Sequence, residues 1–194
     1  MKTAAEFVAD GDLKFESKDY KGAVVDYSAA IKIEPKNADI WYNRGLAEVF
    51  LNKISAAIED FSKALELNPK HEDALFNRAR ISAALGAYQK ALDDFDRALA
   101  LNPDDGEIYT NRGAVKLQMK DTQGAIQDFT KALDINPADG KAYYNRASTY
   151  LLMHATERAV QDFAMAYQNG VMQAKEVLIS LQNWYWMNFK GFLV

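Results

Sequence analysis

The sequence predicts an all-α fold of repeated helix pairs, and three sets of evenly spaced residues carry this prediction: prolines, small residues and aromatic residues. The four prolines lie 34 residues apart, and each follows an amphipathic stretch. Because proline cannot continue a helix and restricts the residue before it, each one indicates a helix end. The prolines are Pro35, Pro69, Pro103 and Pro137.

Small and large apolar residues recur at the same 34-residue period. Ala57, Phe61 and Ala64 have the i, i+4, i+7 spacing that places three side chains on one helix face. A single repeat is too small to bury its own core, so the pattern predicts stacking of neighbouring repeats. The small series are Gly11, Gly45, Ala79, Gly113 and Ala147; Ala23, Ala57, Ala91, Ala125 and Ala159; and Ala30, Ala64, Ala98, Ala132 and Ala166. The large series are Tyr27, Phe61, Phe95, Phe129 and Phe163, and Phe7, Trp41, Leu75, Tyr109 and Tyr143.

This pattern resembles the tetratricopeptide-repeat (TPR) family, whose repeat runs from a large aromatic residue through small and aromatic positions to a closing proline. The resemblance implies a right-handed superhelical solenoid of five helix-turn-helix repeats plus a C-terminal capping helix. We predict repeats at about 4–37, 38–71, 72–105, 106–139 and 140–170, within a region of 1–170, and a capping helix and aromatic tail at 171–194. Gly170 replaces the proline turn in the last repeat and suits a helix C-cap.

Two polar series have the same period, and they predict Arg–Asp pairs between helices. Every arginine lies 16 residues before one aspartate and 18 after another, so within-repeat and between-repeat pairing both remain open. Such pairs fix register more reliably than they stabilise. The arginines are Arg44, Arg78, Arg112 and Arg146, and the aspartates are Asp26, Asp60, Asp94, Asp128 and Asp162.

An asparagine precedes each of these arginines. The resemblance implies that first helices line a concave groove and that asparagines at this place contact the backbone of a bound peptide. A side-chain amide offers both a donor and an acceptor to such a backbone; a local cap or interhelical hydrogen bond is the alternative role. The groove is also mostly apolar, as interaction sites often are. We predict the peptide-binding groove at Asn43, Asn77, Asn111, Asn145, Tyr42, Leu46, Phe50, Phe76, Arg80 and Tyr144.

We therefore predict a non-catalytic protein–protein interaction scaffold that binds a peptide or helical segment of a protein partner. The carboxylate clamp of co-chaperones is not reproduced. When the five clamp positions are mapped onto the first three repeats, Asn43 is the one residue that matches. When they are mapped onto the last three repeats, two residues match, Asn111 and Lys141. This departure argues against binding of heat-shock chaperone C-terminal peptides.

The C-terminal segment suggests a second function. Residues 171–189 are predicted as a helix with Ala174, Leu178, Leu181 and Tyr185 on one face, as a capping helix requires. It then becomes apolar on every side, which fits an extended cap, a partner or membrane-surface anchor, or self-association. The alternative function is a self-assembling structural protein whose tail mediates homo-oligomerisation. The predicted self-association residues are Trp184, Tyr185, Trp186 and Phe189.

Composition excludes several other classes. A net charge of -4 is opposite in sign to that of most nucleic-acid-binding proteins. The chain lacks cysteine, and His71 and His154 have no metal-ligand spacing. We find neither a phosphate-binding loop nor a nucleophile motif, so we expect no enzyme activity, cofactor or metal. Glu6 and Asp10 interrupt any signal-peptide core, and no apolar run is long enough to span a membrane, so the default location is the cytoplasm.

Overall fold

The computed structural model describes the backbone of residues 2–185 and the side chains of residues 2–181. These residues form eleven α-helices and no strand, which confirms the all-α repeat fold. The helices are α1 (Ala4–Glu16), α2 (Tyr20–Ile33), α3 (Ala38–Phe50), α4 (Ile54–Leu67), α5 (Glu72–Ala84), α6 (Tyr88–Leu101), α7 (Gly106–Gln118), α8 (Thr122–Ile135), α9 (Gly140–Leu152), α10 (Thr156–Gln168) and α11 (Gln173–Tyr185). No helix in the described part is long and apolar enough to cross a membrane.

Side-chain caps fix where the first helix of each pair begins. Thr3 and Glu6 form a reciprocal capping box at the start of α1. At the other four first helices, the preceding side chain accepts a hydrogen bond from a backbone N–H of the first turn. Those four residues are Asn37, His71, Asp105 and Asp139.

A left-handed residue reverses the chain between the two helices of each pair. The five residues with positive φ at this turn are Lys18, Asn52, Gly86, Lys120 and His154. Each turn is closed by a backbone hydrogen bond that spans five residues, such as Lys53 N–H to Glu48 O at 2.9 Å. The C-cap of α10 is Asn169, and Gly170, which the sequence predicts as the cap, follows it with φ of 90°. The glycine therefore occupies the left-handed position just past the cap.

The periodic small and aromatic residues form the core. The chain divides into two compact units, Met1–Asn102 with α1–α6 and Pro103–Val194 with α7–α11. In the first unit, Ala57, Phe61 and Ala64 are 0% exposed. A Cβ added at Gly45 would lie 2.8 Å from Cε1 of Phe61, so a residue without a side chain lets the ring approach the helix backbone.

In the second unit, α11 packs against α10 as a capping helix would. Ala174 is buried, and Val177, Leu178 and Leu181 pack beside it against the cluster around Phe163. The predicted apolar face of this helix is therefore confirmed as far as residue 181. The side chain of Tyr185 lies outside the described residues.

The Arg–Asp pairs form within each repeat, which resolves the alternative that the sequence leaves open. Arg44 donates from Nε and Nη2 to the Asp60 carboxylate at 2.8 and 2.7 Å. These hydrogen bonds raise the pKa of Arg44 above its ordinary value. The other pairs have the same forked geometry: Arg78–Asp94, Arg112–Asp128 and Arg146–Asp162.

Arg44, Arg78 and Arg146 also contact the preceding repeat. Nη1 of Arg44 donates to Ser28 Oγ at 3.1 Å, and Arg78 and Arg146 make the same bond to Ser62 and Thr130. Each of the three guanidinium groups thus joins two second helices from one first helix. In the first repeat, where no arginine is present, Lys14 pairs with Asp26 at 2.5 Å.

We expect Arg146→Lys to lower the free energy of unfolding by about 1–2 kcal/mol, because an ammonium keeps the charge but cannot form the fork to Asp162 and Thr130. The matched control is Arg158→Lys, since Arg158 is exposed, packs on the Tyr150 ring and forms no ion pair with a described residue. Urea unfolding measures the free energy of unfolding of both variants. Equal stability losses in the two variants would show that the fork adds nothing.

Candidate functional site: the face of the first helices

The first helices of the first unit lie side by side. The rings of Phe15 on α1 and Phe50 on α3 have centroids 5.4 Å apart, and Asn77 Nδ2 on α5 donates to Tyr42 Oη on α3 at 3.3 Å. We call the surface that these helices share the first-helix face. In this unit it contains Tyr42, Asn43, Leu46, Phe50, Phe76, Asn77 and Arg80, all of which the sequence predicts as groove residues.

The four predicted asparagines are half-buried, and they divide into two kinds. Asn77 and Asn111 donate to a backbone carbonyl one turn earlier, at 2.9 and 2.8 Å. The local hydrogen bond that the sequence offers as the alternative role is therefore present at these two. The side chains of Asn43 and Asn145 make no hydrogen bond to any described residue. Nor does a hydrogen bond from a described residue reach Oδ1 of any of the four, so each amide retains an acceptor.

The predicted aromatic residues differ in how much surface they offer. Tyr42, Phe76 and Tyr144 are half-buried and pack against the core rings Phe61, Phe95 and Phe163, with centroids 5.7, 6.1 and 5.3 Å apart. Phe50 is 58% exposed. The Arg80 guanidinium is exposed and lies 5.5 Å from the centroid of the Phe76 ring. Phe50 is therefore the most accessible aromatic ring among the predicted groove residues.

Sequence reasoning missed Tyr20, which stacks on Phe50 with centroids 4.6 Å and planes 11° apart. Tyr20 opens α2, and the prediction considered only first helices. No periodic signal could have found it, because the equivalent positions hold Ile54, Tyr88, Thr122 and Thr156. Together with Phe15, these rings form an aromatic cluster at one end of the first-helix face.

His71 also escaped the sequence prediction. Its Nδ1 accepts from Ala74 N–H at 3.3 Å as the cap of α5, and its ring lies 4.6 Å from that of Tyr42. Nε2 is buried without a hydrogen bond and faces Asp39 Oδ1 at 3.4 Å, a separation of ion-pair range. Its register offered a signal, since Thr3, Asn37, Asp105 and Asp139 occupy the same cap position.

Two carboxylates stand beside this ring pair, Asp39 in the first turn of α3 and Asp73 in the first turn of α5. The pKa of Tyr42 is raised to about 12, chiefly by burial and also by the negative charge of Asp73, while the hydrogen bond from Asn77 acts in the opposite direction. The phenol therefore stays neutral at physiological pH. It presents a hydroxyl and not a charge to any ligand.

The C-terminal prediction cannot be placed. Trp186 and Phe189 lie outside the described residues, and only the backbone of Trp184 and Tyr185 is described, as the end of α11. Self-association through these four residues stays a prediction.

The phenol of Tyr42 is expected to titrate near pH 12 in the folded protein, against a usual value of 10.0. Because the folded pKa is raised, its contribution to stability is complete below pH 10 and is lost as the pH rises to about 12. NMR of ¹³C-labelled tyrosine, assigned with Tyr42→Phe, follows the titration. Asp73→Asn should lower this pKa, and Glu72→Gln is the control on the adjacent residue. A pKa near 10 in the wild type would contradict the described burial.

Family models match most of the chain. A TPR repeat model matches residues 11–49, and three tetratricopeptide-repeat models match 42–106, 81–143 and 129–161. No curated protein matches the chain by sequence.

Solved structures share the fold. The crystal structure of MamA protein is 25% identical with a TM-score of 0.80, covering 89% of this chain and 94% of that one. YrrB, described as a TPR protein with an unusual peptide-binding site, is 21% identical with a TM-score of 0.75. The match covers 88% of this chain and 90% of YrrB. The pilF protein of Pseudomonas aeruginosa is 20% identical with a TM-score of 0.78, covering 98% and 93%. The chain belongs to the tetratricopeptide-repeat family.

Proposed function

We propose that the protein is a non-catalytic interaction module that holds a segment of a partner protein on its first-helix face. The observation that carries this proposal is the half-buried Asn43 amide, whose donor and acceptor are both unused by the described residues. Its two polar atoms are not buried, so a ligand that covered them without bonding to them would leave them unpaired, at a cost of about 1–3 kcal/mol. A peptide backbone laid across this face offers both a C=O and an N–H to the amide.

The spacing of the asparagines suits an extended peptide. Asn43 and Asn77 occupy the same register on α3 and α5, which are joined by the bond from Asn77 to Tyr42. Helices in contact lie about 8–10 Å apart. A polyproline-II peptide rises about 9 Å over its three-residue turn, so it presents an equivalent backbone group at about this interval. Asn43 and Asn77 would then bind residues of the partner that lie three positions apart.

The aromatic cluster supplies the apolar part of the proposed contact. Phe50 is exposed, and Phe15 and Tyr20 hold its ring by an edge contact and a stacked contact. An anchor that is already ordered loses little rotamer freedom when a ligand binds. Structural similarity to YrrB, a TPR protein with a peptide-binding site, supports the same kind of ligand.

Photo-crosslinking in cells of the source organism tests where the partner binds. A benzophenone amino acid at position 50 or 80 should crosslink to a partner protein, because both positions are exposed on the first-helix face. The matched control is the same amino acid at position 59, which is exposed on the second helix α4. Equal crosslinking from position 59 would place the partner elsewhere and contradict the proposal.

The paired variant Asn43→Ala, Asn77→Ala tests the amides themselves. Losing two backbone-reading side chains at about 1 kcal/mol each should weaken binding of the crosslinked partner about 10- to 30-fold. Asn68→Ala, Asn102→Ala removes two amides from turns of the same unit and should leave affinity unchanged. Isothermal titration with the purified partner measures both, with helicity by circular dichroism as the folding control. Undiminished affinity in the first variant would refute the role of the asparagines.

A further inference from the structure

The first-helix face of the first unit carries a pair of carboxylates that the groove prediction did not include. Asp39 and Asp73 occupy the same register on α3 and α5, one turn before Asn43 and Asn77. Both are exposed, and the side chain of Asp39 is 79% accessible. Asp73 forms no ion pair or hydrogen bond through its side chain with any described residue. Its charge is therefore available to a ligand.

The cations nearby leave this charge unneutralised. Arg80 lies seven residues after Asp73 on the same helix, about 10 Å along the axis, and its guanidinium packs on Phe76. Lys36 and Lys70 lie in the turns before α3 and α5, and the structure shows no ion pair between either lysine and the two aspartates. The pair thus adds two negative charges to one end of a largely apolar face.

His71 lies beside Asp39, and Tyr42 lies within the electrostatic influence of Asp73. The rings are 4.6 Å apart, and His71 Nε2 faces Asp39 Oδ1 at 3.4 Å. His71 is 9% exposed, and its Nε2 has no hydrogen bond. The site therefore combines two accessible carboxylates, a phenol hydroxyl and aromatic rings. These groups favour an ammonium or guanidinium group, through charge-assisted hydrogen bonds and ring contacts.

We propose that the bound segment is basic, and that one of its lysine or arginine side chains lies between Asp39 and Asp73 beside Tyr42. An apolar side chain of the same segment packs on Phe50 and Leu46. This inference rests on the proposed function and names the chemical class of its ligand: a peptide segment of a partner protein that carries both basic and apolar residues.

The second unit provides an internal contrast. The positions equivalent to Asp39 and Asp73 hold Glu107 on α7 and Lys141 on α9. One negative and one positive charge cannot form a cation site of this kind, because the lysine repels the same ligand. The basic segment is therefore specific to the first unit, although asparagines recur in both.

Selection from a phage library of random 12-residue peptides tests the proposal without knowledge of the natural partner. Peptides selected on the wild-type protein should contain more Lys and Arg than Asp and Glu. Fluorescence anisotropy then gives the affinity of the best fluorescein-labelled peptide. Asp39→Asn, Asp73→Asn should weaken binding about tenfold or more, and 0.5 M salt should weaken binding to the wild type. The control Glu59→Gln, Asp134→Asn makes the same charge change on second helices and should stay within about twofold.

The outcomes separate this inference from the proposed function. The selected peptides could lack a basic excess and yet bind the variant Asn43→Ala, Asn77→Ala more weakly than the wild type. This result would overturn the proposal of a basic ligand but leave the proposed binding on the first-helix face intact. Failure to select any peptide that depends on either pair of residues would overturn both. The single variants Asp39→Asn and Asp73→Asn keep the test valid if the double variant unfolds, since each is expected to give part of the loss.

Discussion

The close approach of two helix backbones is the constraint on which each repeat depends. A ring such as Phe61 can reach the neighbouring first helix only where that helix carries almost no side chain, as at Gly45. Burial of the flanking alanines Ala57 and Ala64 follows from the same proximity. Once the two helices are this close, the arginine one residue before the glycine lies within reach of Asp60, and its guanidinium can form the fork. The polar contacts are thus set by the apolar ones.

Packing and the proposed recognition use different sides of the same first helices. On α3, Gly45 faces the core, Arg44 bonds to second helices, and Asn43 is left on the first-helix face. Three consecutive residues therefore serve three roles, because successive side chains of a helix point about 100° apart. Residues such as Asn43 can therefore be replaced without altering the neighbours that hold the repeat together, and under the proposed function such replacements would change the partner. This separation makes the fold a suitable support for binding sites of different chemistry.

The helix starts and the core residues that recur every 34 residues could be predicted from the sequence. The first helices begin at equivalent positions, such as Ala38 and Glu72, and the periodic alanine and aromatic residues are buried in every repeat. Each of these features therefore appears five times in the sequence, which makes its pattern easy to recognise. The choice between the two possible arginine partners could not be predicted, since both spacings recur equally and only the distance between helices decides.

Features that occur once were not predictable in the same way. Tyr20 completes the aromatic cluster, and His71 replaces an oxygen-bearing cap with a ring that then contacts Tyr42. The greater exposure of Phe50 compared with Phe76 also depends on neighbouring residues. Phe76 packs on the core ring of Phe95, whereas Phe50 is the last residue of α3. The positions of the candidate residues along the first helices were thus predictable, whereas their accessibility and charge environment required the structure.

The guanidinium fork has a consequence for how such a chain can lengthen. Arg78 reaches forward 16 residues to Asp94 and back 16 residues to Ser62, so each contact joins fixed offsets along the chain. Duplication of one complete repeat regenerates every such contact at the new junction, whichever point of the repeat is copied. An insertion of any other length inside a helix separates an arginine from its partners on one side. Gene duplication therefore preserves these contacts only when it adds whole repeats, and insertions of other lengths are tolerated only in the turns.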